Sequence, residues 1–234
     1  MLNFSLSIII PVLNESNNIE KLTIKLKDCL KGYKYEIIFV DDNSSDNSKY
    51  ILKKLEKKFK FFRPIYRKNI RDLTQSCFDG IKKSKFQNIL IMDGDLQHDP
   101  KYIPKMIELF NKKNIDIVVG ARPLLKGPNL GLSETRRLAS KLLIFLFLIF
   151  KIKTIDPMSG FFLIKKNIYI KNKKYFYGKG FKILADILIN SKMKINTIDF
   201  IINFKRRYKD KSKMSIKILF VLVEFYFFSL IKKI

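Results

Sequence analysis

Three polar clusters interrupt the first hundred residues, and each directly follows a short apolar run. They are Pro11-Val12-Leu13-Asn14-Glu15, Asp41-Asp42-Asn43-Ser44-Ser45-Asp46 and Asp93-Gly94-Asp95-Leu96-Gln97-His98. Carboxylates crowded in this way repel one another unless a cation joins them, so a divalent ion is the economical explanation. Asp93 and Asp95, two apart around a glycine, can turn both carboxylates to one ion, and Gln97 can add a neutral oxygen. An oxygen-only set favours Mg2+ or Mn2+ over zinc. His98 is the single histidine of the chain and is expected as a loop residue beside that ion. Taken alone, Asp-Gly-Asp is a common turn and Asp41-Asp42 a common helix cap. Their repetition at successive strand ends is what points to a site.

The elements that must position these clusters are legible from periodicity. Residues 6–10, 35–40, 61–66, 88–92 and 115–119 are short, apolar and rich in Ile, Val or aromatics, which predicts strands. Residues 17–30, 44–58, 72–83 and 100–111 carry helical spacing, with Leu22, Leu26 and Leu30 recurring every fourth position. Asn18 and Ser45 are expected as caps, and Pro100 suits a first helical turn. Strand and helix alternating four times predict an α/β fold with a mostly parallel sheet covered on both faces. Ligands of such sheets sit beyond the carboxyl ends of the strands, where all three clusters emerge.

Composition bounds the partners. The chain has 234 residues, 47% hydrophobic and 29% charged, enough for one domain with a real core. Its 47 basic and 21 acidic residues leave a net charge of +26, which raises nucleic acid or an anionic membrane as partner. Only eight of the basic residues are Arg, so the Lys excess resembles codon bias as much as function. The basic residues are dispersed and form no recognisable nucleic-acid-binding motif, so nucleic acid is not expected. Cys29 and Cys77 cannot build a disulfide framework and suit a reducing cytosol. No secretory signal is expected, and no apolar run approaches the roughly 20 residues of a spanning helix. Residues 142–150 are nonetheless continuously apolar and fenced by Arg136, Arg137, Lys141, Lys151 and Lys153. Residues 218–231 are nearly so. Both suit helices lying in a membrane interface, or else buried core helices.

The clusters together resemble the GT-A, family 2 glycosyltransferases, and within them the polyprenyl-phosphate (dolichyl-phosphate) mannose synthases. Pro11, Asn14 and Glu15 are similar to that family's opening nucleotide motif, and Asp41, Asp42, Ser44 and Asp46 to its DDxSxD. Arg71 through Ser76 with Asp79-Gly80 resembles the segment beside the donor, although the family often has Gly where Asp72 stands. The Asp93–His98 cluster with Pro100 resembles DADLQHPP. Asp156-Pro157-Met158-Ser159-Gly160-Phe161-Phe162 resembles DPxSGFF, and Gly180-Phe181-Lys182-Ile183-Leu184 resembles GYKIL. Phe204, Arg207, Ser212 and Lys213 match F-x-x-R-x-x-G-x-S-K, with Asp210 at its Gly.

The resemblance implies a Rossmann-like GT-A domain over residues 1–214, an acceptor-side interfacial helix over about 136–153, and a C-terminal membrane-interface helix over 215–234. It implies an inverting transferase that moves a sugar, mannose from GDP-mannose first among the donors, onto a polyprenyl phosphate. The expected place of work is the cytosolic membrane surface, with peripheral attachment and with a separate membrane subunit left open as partner. Asp93, Asp95 and Gln97 would hold the metal. Pro11, Asn14, Glu15, Asp41, Asp42, Ser44, Arg71 and Asp93 would hold the nucleotide. Six of the eight Arg (71, 122, 136, 137, 206 and 207) lie in or beside these motifs, and a planar fork grips phosphate in a way Lys cannot. Arg122, Arg136 and Arg207, with Ser212 and Lys213, are therefore expected as the acceptor-phosphate clamp. The alternative is a soluble sugar or glycan hydroxyl as acceptor, which would need Asp156 or Asp186 as general base.

Overall fold

The structure is a computed structural model and describes residues 4–122, 150, 152–203 and 216–232, with side chains of the final stretch from residue 223 onward. The apolar run near the N-terminus becomes β1 (Ser5–Val12), an interior strand, flanked in parallel by β2 (Lys34–Asp41) and β4 (Asn88–Ile91). Because helices cover both faces, these strands are apolar throughout rather than alternating. The sheet has seven strands in the order β3-β2-β1-β4-β6-β5-β7, with β3 (Ile65–Tyr66), β5 (Ile117–Ala121), β6 (Phe162–Lys165) and β7 (Thr197–Ile201). Strand β6 runs antiparallel between β4 and β5, and the other pairs are parallel. The expected α/β class with a mostly parallel sheet is thus what forms.

On one face Leu6, Ile8, Ile10 and Val12 pack against α1 (Ser16–Cys29), α2 (Ser48–Lys58) and α4 (Ile103–Phe110) through Leu22, Leu26, Leu52, Leu55, Met106 and Phe110. On the other, Ile9, Val40 and Val119 meet α3 (Leu73–Lys83), α5 (Lys166–Asn172) and α6 (Ile183–Asn190). Each fully buried Ile or Leu contributes about 1.5–3 kcal/mol, so the sheet edge that carries the polar clusters rests on a rigid support. The helix α7 (Ile216–Ile231) turns Phe225 onto Phe150, Ala185 and Ile189. It leaves Val223, Phe227 and Ile231 at 46%, 58% and 72% exposure, four residues apart on one stripe. Among the described residues, no helix is long and apolar enough to cross a membrane.

Several expectations shift. The strand expected over 61–66 shrinks to Ile65–Tyr66 with an isolated bridge from Phe62 to Ile37. Helix α2 begins at Ser48 and α1 at Ser16, with N-caps Asn47 and Glu15 instead of Ser45 and Asn18. The polar side chains between them are engaged across the two loops, as described below. Pro100 opens a 3-10 turn (Pro100–Tyr102) ahead of α4. The stretch 142–149, and with it most of the helix expected over 136–153, lies outside the described residues.

Candidate active site

The β1–α1 and β2–α2 loops are stitched into one unit. Asn14, at φ 59°, donates its N–H to Ser44 Oγ at 2.9 Å and accepts the Ser45 N–H on Oδ1 at 2.8 Å. The Glu15 N–H reaches Ser48 Oγ at 3.1 Å and the Ser16 N–H reaches Asp46 Oδ2 at 3.0 Å. Pro11 lies inside β1 opposite Val40. Asp41 is wholly buried at the end of β2. Its Oδ1 accepts from Ser44 N at 3.3 Å, while Oδ2 has no hydrogen-bond partner, nor does the hydroxyl of its register neighbour Tyr66. A buried carboxylate oxygen without a donor is costly unless a ligand supplies one.

Asp42 meets a different fate. Its Oδ1 pairs with Arg67, and its Oδ2 accepts the Asp72 N–H at 2.7 Å. Arg67 is 7% exposed and also binds Asp79 Oδ2 at 2.9 Å, Ser76 Oγ at 3.0 Å and the Asp72 carbonyl at 3.1 Å. Burial nevertheless pushes the Asp42 carboxyl above its ordinary range, with Arg67 opposing the shift. Sequence reasoning missed Arg67. The rarity of Arg in this Lys-rich chain is the signal that points to it. Arg71 lies near the surface and donates to the Asn43 carbonyl at 2.8 Å.

The loop after β4 presents the candidate metal ligands. Gln97 N–H closes on Asp95 Oδ1 at 3.1 Å, with Leu96 at φ 64° forming the bend. His98, expected as a loop residue, is buried at 2% exposure and stacks on Phe161 with ring centroids 5.0 Å apart. Burial lowers its pKa to about 4. The neutral ring uses Nδ1 to accept the Asp93 N–H at 3.2 Å, which closes the loop from within. The Asp93 side chain keeps 36% exposure. A Cβ on Gly160 would come within 2.8 Å and 2.9 Å of its two oxygens, so glycine there leaves the carboxylate room. Among the described residues, no three His, Cys, Asp or Glu gather closely enough to hold a metal alone. The oxygen-only set of Asp93, Asp95 and Gln97 fits a hard cation that takes its remaining ligands from substrate phosphate and water.

Beyond the end of β5, Arg122 grips Asp156 from Nε at 2.7 Å and Nη2 at 3.0 Å, and its backbone N–H adds a third bond to Oδ2 at 3.2 Å. Ser159 Oγ donates to the Gly120 carbonyl at 2.7 Å, stapling the Asp156–Gly160 segment to β5. Lys182, which the sequence gives only as part of the GYKIL-like segment, sits within the electrostatic reach of Arg122, Asp156 and Asp93. Burial first, and then Arg122, lower its pKa to about 7. Acidic and basic side chains thus meet at one sheet edge. Asp186, weighed as a general base, accepts from Tyr177 N at 2.9 Å, Gly178 N at 2.7 Å and Asn190 Nδ2 at 2.8 Å. That carboxylate shapes a loop. Arg136, Arg207, Ser212 and Lys213 lie outside the described residues, as do Arg137 and Arg206.

The family model for glycosyl transferase family 2 matches residues 7–173, which spans every strand-end cluster described above. The chain belongs to this family. It is 34% identical over 211 residues to dolichol-phosphate mannosyltransferase of Pyrococcus furiosus, covering 88% of this chain and 59% of that protein. The enzyme of the same name from Saccharomyces cerevisiae is 32% identical over 227 residues, covering 91% of this chain and 82% of its own length. The fold resembles glucosyl-3-phosphoglycerate synthase of Mycobacterium tuberculosis solved with UDP, with a TM-score of 0.69 at 16% identity over 96% of this chain and 80% of that one. The same synthase solved with Mn2+ and UDP-glucose gives a TM-score of 0.68 at 14% identity, covering 98% of this chain and 79% of that one. In this family 2 chain the GT-A sheet therefore brings Asn14, Asp41, Asp42 and Ser44 into one loop unit and keeps Asp93, Asp95, Arg122 and Asp156 at the same edge. Arg71 joins the loop unit only through a backbone carbonyl.

Proposed function

We propose that this family 2 enzyme transfers mannose from GDP-mannose to a polyprenyl phosphate, with inversion, at the cytosolic face of a membrane. The observation that carries the reading is the meeting of opposite charges at one sheet edge. The Asp93–Asp95 loop, built for a cation, lies within electrostatic reach of Arg122 and Lys182, which suit anions. The names of the relatives in Pyrococcus furiosus and Saccharomyces cerevisiae supply the acceptor and sugar.

Asp93, Asp95 and Gln97 would hold Mg2+ or Mn2+, which supplies Lewis-acid stabilisation of the departing diphosphate. Asp41 offers its unpartnered oxygen to the nucleoside, and the Asn14–Ser44 unit frames the ribose side. A polyprenyl phosphate is already an anionic nucleophile and needs no general base. What it needs is cations that hold it against an anionic donor, and Arg122 is the described member of that clamp, with Arg136, Arg207, Ser212 and Lys213 as its further proposed members. Asp156 and Asp186 are both engaged by protein donors, which argues against the hydroxyl-acceptor alternative. The exposed Val223, Phe227 and Ile231 stripe supports α7 as the helix that lies in the lipid interface, with lysines attracted to anionic headgroups.

The test is transfer of labelled sugar from GDP-mannose, and in parallel UDP-glucose, to a short polyprenyl phosphate, with Mg2+, Mn2+ or chelator. Metal-dependent label in the organic phase from GDP-mannose is expected. Label from UDP-glucose alone would replace the donor, and donor hydrolysis without lipid label would replace the acceptor.

A further inference from the structure

Asp72 stands where the chain departs from the family pattern it resembles, and its surroundings give that departure a use. One carboxylate oxygen caps α3 by accepting the Gln75 N–H at 2.9 Å. The other reaches across the molecule to the Gly180 N–H at 2.7 Å. Two more bonds run beside it, from Thr74 N–H to the Gly180 carbonyl at 2.9 Å and from Gln75 Nε2 to the Gly178 carbonyl. The loop they hold turns through Gly178 and Gly180 at φ 74° and 84°, a left-handed path that a side chain would strain. It ends on Lys182, the N-cap of α6, which lies within electrostatic reach of Arg122, Asp156 and Asp93. Asp186 holds the same loop at the Tyr177 and Gly178 N–H groups. The backbone of Asp72 is itself fixed by the donor shell, since its N–H meets Asp42 and its carbonyl meets Arg67.

We propose that Asp72 is a positioning residue whose second carboxylate oxygen fastens the Tyr177–Lys182 loop to the donor-binding shell, so that Lys182 is held at the cluster of Asp93, Arg122 and Asp156. The proposal rests on the glycosyl-transfer reading for its kinetic consequence but not for the tether itself. A helix cap alone requires one oxygen, and serine supplies it. The arm to Gly180 requires the second oxygen. Asp72→Ser therefore separates the two roles, and Gln75→Met removes the neighbouring strut while leaving the cap intact.

Hydrogen exchange and steady-state kinetics on the full chain decide it. In Asp72→Ser, amides of residues 178–182 should exchange about tenfold faster or more, the scale of one lost hydrogen bond to a charged group, while the amides of α3 stay protected. The kcat for transfer should fall about tenfold with donor KM held within about twofold, because the donor shell is untouched and only the positioned loop is released. Gln75→Met should shift both readings the same way by a smaller factor. Unchanged exchange in the loop overturns the tether, and faster exchange with unchanged kcat overturns the positioning role. If the wild-type chain transfers no sugar to polyprenyl phosphate, the proposed reaction falls, while the exchange comparison still decides whether Asp72 holds the loop.

Discussion

Asp42 and Asp93 follow from strands that flank β1 on either side, carry the same side chain, and end in different surroundings. Asp42 has an 8% exposed side chain and is answered by a buried Arg67 and a backbone N–H. Asp93 keeps 36% side-chain exposure, with a glycine opposite that leaves its oxygens room. A carboxylate whose partners are all supplied by the fold acts as architecture, whereas one that retains access at a strand end can meet a ligand. The loop after β2 is thus fixed by an internal ion pair, whereas the loop after β4 keeps a carboxylate accessible at the strand end, as the proposed metal site requires.

The strongest way to break this contrast is Asp95→Ala. It is expected to lower transfer by about 10³-fold or more, since a Lewis-acid contribution of several kcal/mol is lost, while thermal unfolding stays near wild type. Substantial residual activity at saturating metal would remove Asp95 from the ligand set. Arg67→Ala should do the opposite and act through stability. It strands Asp42 and leaves Asp79 without its bridge, at a cost of about 3–5 kcal/mol for breaking a buried pair. A denaturant titration checks it, and an unaltered midpoint would mean that water replaces the guanidinium at no cost.

The residues that sequence reading placed well are those whose chemistry and position agree. Strands β1, β2, β4 and β5 are apolar and buried on both faces, so their patterns are strong, and the polar clusters after them need only the rule of strand ends. The expected caps are engaged otherwise: Ser45 Oγ donates to Asn14 Oδ1 across the gap, a tertiary use that local propensity cannot see, and Asn18 Nδ2 donates to the Glu15 carboxylate inside the first turn of α1. Strands β6 and β7 escaped reading for a related reason. The first is four residues inserted antiparallel between β4 and β5, and the second is only half-buried along its length. Lys182 stands within a family-like motif, but the acids and the Arg around it are placed there only by the fold.

A smaller effect sharpens the metal side of the contrast. Gly160→Ala adds a Cβ that would sit 2.8 Å from an Asp93 oxygen. The carboxylate must turn away, and a displaced ligand of this kind weakens metal affinity by about 10–100-fold. The readout is the Mg2+ or Mn2+ concentration needed for half-maximal transfer, with kcat recovered at high metal. An unchanged metal requirement would show that Asp93 adjusts without loss and that its present orientation is not the binding one.

The smallest expected effect tests whether the contrast extends to the basic groups. Arg122 differs from Arg67 in keeping 25% side-chain exposure while it holds Asp156 through Nε and Nη2. Lysine at this position preserves the charge but offers a single rotating ammonium in place of a planar fork. If Arg122 serves only the fold, as Arg67 does, Arg122→Lys should lower the unfolding midpoint and leave kcat/KM for the acceptor intact. If it also grips the acceptor phosphate, kcat/KM for polyprenyl phosphate should fall by about tenfold through loss of bidentate contact, while donor hydrolysis in the absence of acceptor is preserved. The second pattern is the one expected here. Arg122 lies within electrostatic reach of both Asp93 and Lys182, where, in the proposed reaction, an anionic acceptor would have to approach an anionic donor.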